Sequence, residues 1–405
     1  MKRRHFLAAT LATLATPALA APKKKARLPT ATAEHSILES VYDGSSASRL
    51  PQPKPPGSPA TWQTVALRHE LKLETVRAGQ RLVLPLPIDA PLWQHPKTLR
   101  WQGNPQSTEL FHLPHDTLHG FIADWSGRGD PQLTLEMTAQ VAERRLDISR
   151  RTAPPDLEAP LRAALAETDT LPNGGKALTL ARQIVGRIVD PLAQAHALYD
   201  WVSANARYDP ALPPEGSGDV RAQLEAARYG GRSADIAGLF VALCRAIGIP
   251  ARRLHGVRVA PSAIAPCLGL ETSDAKTAQH CRAEFYIPGY AWIAVDVSDV
   301  CRFAAQEPDN RALLDKIRQR FFGFWETNWL ALSVAENLIL RAEAVPRRQP
   351  DGLPVGQARD LSIIPPVAVP LPFLNAPLVF RTEDGQRVEK FDWQCTASSS
   401  GAAPE

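Results

Sequence analysis

Residues 218–260 read GDVRAQLEAARYGGRSADIAGLFVALCRAIGIPARRLHGVRVA, and residues 278–299 read AQHCRAEFYIPGYAWIAVDVSD. The hydrophobic period changes between these two stretches, and that change decides the fold. After Ser233, the residues Ile236, Phe240, Leu243 and Ile247 recur at helical spacing and form one apolar stripe. Gly248 and Pro250 stop it. The period then falls to two: 280–287 and 291–296 read as strands joined across Pro288-Gly289-Tyr290. Upstream, DPLAQAHALYDWVSANARYD at 190–209 opens another helix. Asp190 supplies a capping carboxylate and Pro191 the preformed first helical residue, with Leu192, Ala195, Tyr199 and Val202 on one face. Helices followed by paired strands predict an α+β core, a helix bundle packed on an antiparallel sheet.

The rest of the chain frames this core. Its 405 residues predict two or three domains at roughly 150 residues each. Apolar residues make up 44% and charged residues 22%, enough to bury real cores. A net charge of +4 offers no strongly basic surface, so nucleic acid is not an expected partner. From Trp62 the pattern alternates: Val65, Leu67, Leu71 and Leu73, and later Leu133, Leu135, Met137, Ala139 and Val141. This predicts a small antiparallel β-sandwich over 62–150 ahead of the core. Thirty-seven prolines imply extended connections, and two are read: 21–61, with QPKPPGSP, and a Pro-rich stretch within 343–405. The core with its helical extension spans 157–342, with a third helical stretch from about Ala312 to Ala342. LVFRTEDGQRVEKFDW at 378–393 predicts a terminal hairpin turning at Asp384-Gly385.

Residues 1–20 have the layout of a signal peptide. Lys2, Arg3 and Arg4 precede a short apolar run, and Ala18-Leu19-Ala20 is a small-x-small cleavage site. The pair Arg3-Arg4 before Phe6-Leu7 is similar to a twin-arginine signal, with Lys2 where Ser or Thr is usual. The expected location is periplasmic or secreted, without stable membrane insertion after the signal is removed, since no later apolar run reaches about 18 residues. Five cysteines without a CxxC pair give neither a zinc site nor a readable disulfide pattern. His112, His115 and His119 have a spacing a metal can use, but no recognised pattern surrounds them; no metal and no cofactor are assigned.

The motifs quoted above, in their order, resemble the bacterial transglutaminase-like family, which shares the papain-like arrangement of Cys, His and Asp. The matching run covers about 110 residues: a nucleophile at a helix start with Asp two residues on, GIPAR, a His strand and a Trp-to-Asp strand. FFGFWETNWLAL at 321–332 also looks like the flank of exported members. The resemblance implies Ser233, His280 and Asp296 as the site, with Asp299 a rival carboxylate. The chemistry needs this layout. A helix N-terminus lowers a thiol pKa and can hold an oxyanion; an imidazole takes the proton; a carboxylate orients the ring. His280 and Asp296 are sixteen residues apart across a turn near 289, which allows a diagonal cross-strand contact.

Ser233 is the departure, because the resemblance implies Cys at that position. A hydroxyl cannot preform a thiolate–imidazolium pair and needs full general-base help. Cys244 lies about 16 Å along the same helix, and Cys281 points to the strand face opposite His280, so neither replaces it. Ser233 also reads as a plain helix cap, and Asp235 as a carboxylate serving backbone N–H groups. Ala291 stands where the family has Gly before Trp, and Val297 where it has Pro. Three readings follow. The first, preferred, is an exported transglutaminase-like protein impaired at its nucleophile that binds a peptide, cell-wall or protein partner. The second is an active amide hydrolase or acyl transferase using Ser233, His280 and Asp296 on periplasmic peptides. The third is a structural assembly module in which no groove reaches His280.

Overall fold

Alternation builds the first layer pair. The computed structural model describes residues 31–36, 62–74, 79–113, 117–126, 129–151, 153, 155–340, 369–371 and 373–400. Its leading strands are β1 (Ala31–Ser36), β2 (Trp62–Lys72), β3 (Gln80–Leu86), β4 (Gln94–Gly103), β5 (Ser107–His112), β6 (His119–Trp125) and β7 (Gln132–Ala142). In β2, Val65, Leu67 and Leu71 are buried; in β7, Leu133, Leu135, Met137, Ala139 and Val141 are. These alternate positions face Leu82, Leu84, Phe121 and Ala123 of the second sheet in one apolar cluster. The signal segment lies outside the described residues. The stretch 21–61 is not linker throughout, because β1 pairs antiparallel with β4 at the edge of the first sheet.

The core follows. Helices α1 (Gly175–Val185), α2 (Pro191–Asn205), α3 (Val220–Ala226) and α4 (Ser233–Ala246) precede strands β8 (Ala251–Arg258), β9 (Gln279–Ile287) and β10 (Ala291–Val295). Helices α5 (Val297–Gln306) and α6 (Arg311–Arg320) follow, then β11 (Trp329–Ser333). The sheet order is β10-β9-β8-β11, all antiparallel. Asp190 caps α2 by accepting from the Ala193 N–H at 2.9 Å. Helix α4 is buried from Ser233 to Arg245 and packs on β8 and β9. Full burial of side chains such as Leu239, Phe240 and Leu243 contributes about 1.5–3 kcal/mol each. One face of β9, with Cys281, Ala283, Phe285 and Ile287, joins the helical core. On the other side of the sheet, Leu254, Ala294 and Ala331 pack against Ile88, Trp93, Trp325 and Trp329. Val257, Leu330 and Leu332, at the alternate positions, join the sandwich core. The sheet is therefore covered on both faces, and every β9 residue after Gln279 is buried.

Two expectations fail here. The helical stretch from about Ala312 to Ala342 stops at Arg320. Gly323, at φ +105°, turns the chain, and the aromatic run then serves as strands, Trp329–Ser333 covering the free edge of β8. The terminal segment is also not a two-armed hairpin. Leu378–Arg381 (β12) pairs with β3, and Asp392–Ser400 (β13) pairs with β2 in the other sheet. The chain does turn at Asp384-Gly385, with a bridge between Phe380 and Arg387, but it then crosses layers and covers an edge in each sheet. No helix among the described residues is long and apolar enough to cross a membrane.

Candidate active site

Helix α4 begins against the middle of the sheet, and its start is held by Asp235. One oxygen of that carboxylate accepts from the Arg232 N–H at 2.8 Å; the other accepts from the Gly218 N–H at 2.8 Å and the Ser217 hydroxyl at 2.6 Å. Asp235 thus ties the 216–218 loop to the helix, the backbone-serving role that its position suggests. Ser233 does not cap the helix. It is the first helical residue, and its hydroxyl accepts from the Cys281 N–H at 3.0 Å. Its contact is therefore with the β9 backbone, on the face that the helix covers.

His280 lies on the opposite face of β9, where Arg258 of β8 and Arg282 also point. Its Nε2 is 2.9 Å from Asp296 Oδ2, so the diagonal His–Asp contact forms. Its Nδ1 is 3.0 Å from Arg258 Nη2. A guanidinium can only donate, so Nδ1 accepts from Arg258 and the proton sits on Nε2, which donates to Asp296. Both ring nitrogens are thus engaged, and no hydrogen bond joins Ser233 to His280 among the described residues. Burial, reinforced by the Arg258 cation, holds the His280 pKa well below its ordinary value, so the ring is neutral.

The surroundings balance charge. Asp296 caps α5 through the Asp299 N–H at 3.1 Å and receives Arg282 Nε at 3.0 Å. Asp299 pairs with Arg258 and sits 3.7 Å from His280 Nε2. Arg282 also donates to the Glu326 carbonyl at 2.8 Å and to Asn328 Oδ1 at 2.9 Å. Trp329 Nε1 donates to the His280 carbonyl at 2.9 Å, which fixes the strand beneath the ring. His280, Asp296 and Asp299 place three possible metal ligands within 4.8 Å, but two buried guanidiniums already neutralise the two carboxylates. A divalent cation there would meet those positive charges at short range.

The structure brings His280 and Asp296 together and puts the Ser233 hydroxyl at the N–H of the next strand residue, Cys281. Sequence reading missed Arg258 and Arg282. The signal was present in polar residues at period two within strands otherwise built for burial: Arg258 in LHGVR and Arg282 in HCRAE. Cys281 does point away from His280; it meets His255 of β8 instead. All five cysteines are free thiols. His112 and His119 are opposed across β5 and β6 with ring centroids 6.1 Å apart, and His115 lies outside the described residues. Trp325 and Trp329 are core, and Trp292 donates to Asp156 under the Arg252 guanidinium. A surface cleft of about 260 Å³ is lined by Arg145, Leu146, Arg320, Phe322, Gly323 and Phe324, none of them a predicted site residue.

A helical layer over an antiparallel sheet, with the helix start against a His–Asp strand pair, defines an α+β protein with a transglutaminase-like core. Comparison with known proteins agrees: residues 178–297 match the model of the transglutaminase-like superfamily. An uncharacterized protein of Haemophilus influenzae is 26% identical over 279 residues, covering 64% of this chain and 75% of the relative. Among solved structures, a Cytophaga hutchinsonii protein crystallised as a candidate cysteine protease matches with a TM-score of 0.53 and 16% identity. That match covers 86% of this chain and 93% of the other and shows a shared fold. The periplasmic domain of TgpA from Pseudomonas aeruginosa matches at a TM-score of 0.32 and 16% identity, over 61% of this chain and 98% of that one.

Proposed function

We propose that this chain is an exported transglutaminase-like protein whose Ser233–His280–Asp296 site does not turn over and whose core serves a peptide- or protein-binding module. One observation carries the reading: Arg258 occupies the His280 nitrogen that would have to take the Ser233 proton. A serine nucleophile depends wholly on such a base. Here the base is neutral, engaged at both nitrogens and 2% exposed, and Ser233 is 5% exposed. The protease- or transglutaminase-type fold supports a peptide or protein as partner, cell-wall peptide included. The Lys2-Arg3-Arg4 start and the Ala18-Leu19-Ala20 cleavage site support export to a periplasmic or extracellular location.

The competing reading keeps an active hydrolase or acyl transferase, and the 2.9 Å His280–Asp296 pair favours it. A single comparison separates the two. Hydrolysis of glutamine-containing peptides, and amine incorporation into them, are followed for wild type and Ser233→Ala. Equal background rates, with the same peptide-induced rise in Tm for both proteins, are expected. A rate that disappears with Ser233→Ala would establish the hydrolase reading instead.

A further inference from the structure

Directly across the sheet from Cys281 lies His255, its register partner on β8. The Cys281 Sγ is 3.0 Å from His255 Nδ1. His255 Nε2 is 3.3 Å from Glu336 Oε1. Arg253 clamps the same carboxylate through Nε at 2.6 Å and Nη2 at 2.7 Å. Thiol, imidazole and carboxylate thus follow one another in the order that nucleophilic catalysis requires. Cys281 meets Ser233 through its backbone N–H, while its thiol faces His255. We propose that Cys281 and His255, with Glu336 as the positioning residue, form a second acyl-transfer site in this fold, covered by Phe373.

The protonation states suit the role. Glu336 is held ionised, its pKa lowered to about 2 even though burial opposes this, chiefly because of Arg253. An ionised Glu336 accepts from Nε2–H and so leaves Nδ1 as the acceptor for the Cys281 S–H. Burial keeps His255 neutral and pushes the Cys281 thiol well up. The resting state is therefore a neutral S–H···N pair, and the base acts during attack. Sγ adds to the carbonyl carbon of an amide while its proton moves to His255 Nδ1. The C–N bond then breaks, and the amine departs with that proton, leaving a thioester on Cys281. Water or a second amine takes the acyl group, gives its proton to Nδ1, and the thiol is restored from it. The amide class follows from the neutral pair: His255 supplies the proton that an amine leaving group needs.

Phe373 closes this site. Its ring stacks on His255 with centroids 4.2 Å apart and an interplanar angle of 9°, and the Arg253 guanidinium carbon lies 5.5 Å from the centroid of the same ring. It also fills the space above Gly218, where an added Cβ would come within 2.6 Å of the ring. Cys281 is 1% exposed. Moving one side chain, from a segment that follows β11 in the chain, uncovers the imidazole face.

The test alkylates the full chain with iodoacetamide and reads each cysteine by peptide mass. Cys301 is the internal control, because it is 3% exposed, its thiol is pushed up to about 12 and no imidazole among the described residues meets it. Phe373→Ala is expected to make Cys281 react at least ~10-fold faster than Cys301. Adding His255→Gln removes at least ~10-fold of that rate, a threshold set below the ~10²–10⁴-fold typical of general-base contributions, and leaves Cys301 unchanged. Phe373→Leu repeats the comparison if the alanine variant does not fold. In the uncovered protein, p-nitrophenyl acetate leaves an acetyl group on the Cys281 peptide, and Glu336→Gln moves the pH profile of that acetylation. Equal rates at Cys281 and Cys301 in both lid variants would overturn the proposal, as would labelling or acetylation indifferent to His255→Gln. None of these readouts depends on Ser233, so the proposal stands or falls apart from the silent-serine reading.

Discussion

Arg258→Met separates a structural from an electrostatic role for the guanidinium at His280. Arg258 is 2% exposed and bonds both Asp299 and His280 Nδ1. Its removal leaves a buried carboxylate 3.7 Å from His280 Nε2, with Asp296 already at 2.9 Å. Breaking a buried pair costs about 3–5 kcal/mol. The same change removes a cation that opposes His280 protonation by on the order of 4 kcal/mol at an effective dielectric near 20. His280 can then charge and partly replace the lost guanidinium. In wild type the folded pKa of His280 lies below its unfolded value, so falling pH takes stability away through this group. In the variant the Arg258 charge no longer opposes protonation, so the folded pKa is depressed less and less stability is lost as pH falls below about 6.5. Urea unfolding is expected to show the full loss of about 3–5 kcal/mol at pH 8.5 and a loss smaller by about 1–2 kcal/mol at pH 5.5. A loss that is constant with pH, or larger in acid, would refute the idea that Arg258 keeps His280 neutral.

Other substitutions test the supports around the site. Glu336→Gln strands the Arg253 guanidinium and should cost about 3–5 kcal/mol at pH 7. With a folded pKa of about 2, below the ordinary carboxylate value, Glu336 stabilises above about pH 4.5 and loses this as pH falls, so the difference between the two proteins should shrink in acid denaturation curves. Ala291 has φ +60°, left-handed backbone for a residue with a Cβ. Ala291→Gly relieves strain of about 1–2 kcal/mol and adds about 0.4–1 kcal/mol of unfolded-chain entropy. A net gain of up to about 1.6 kcal/mol should appear in urea unfolding. Gly238 faces Arg253 Nη1 and Val220, and an added Cβ would meet them at 2.7 and 2.8 Å. Gly238→Ala should therefore lower stability by about 1–3 kcal/mol despite the better helix propensity, measured as a fall in Tm.

What the sequence disclosed was local. Asp190-Pro191 marks a helix start by its own chemistry, and the stripe from Ile236 to Ile247 marks a buried helix. The 280–296 hairpin is legible from its turn and its period. The α+β class and the transglutaminase-like core follow from these pieces in order. The reading of 312–342 failed at Arg320, because an aromatic run after a glycine packs equally well as strand once a sheet edge is free to take it. Residues 378–400 misled in the same way: Asp384-Gly385 announces a turn but not which sheet the chain joins next. At the site, the His280–Asp296 pair was readable because a short turn connects its strands. Arg258 at Nδ1 was not, since it depends on β8 lying in register beside β9. The Cys281–His255 pair was hidden for the same reason, and Glu336 reaches it from 81 residues along the chain.

Whether a base serves position 233 is tested without a substrate by Ser233→Cys. The introduced thiol is alkylated as a function of pH, alone and with His280→Ala, and read by peptide mass. With His280 engaged at both nitrogens, the expected midpoint is at or above the ordinary ~8.5 and unchanged by His280→Ala. A midpoint well below that value, rising when His280 is removed, would show an activating imidazole at Ser233 and contradict that expectation.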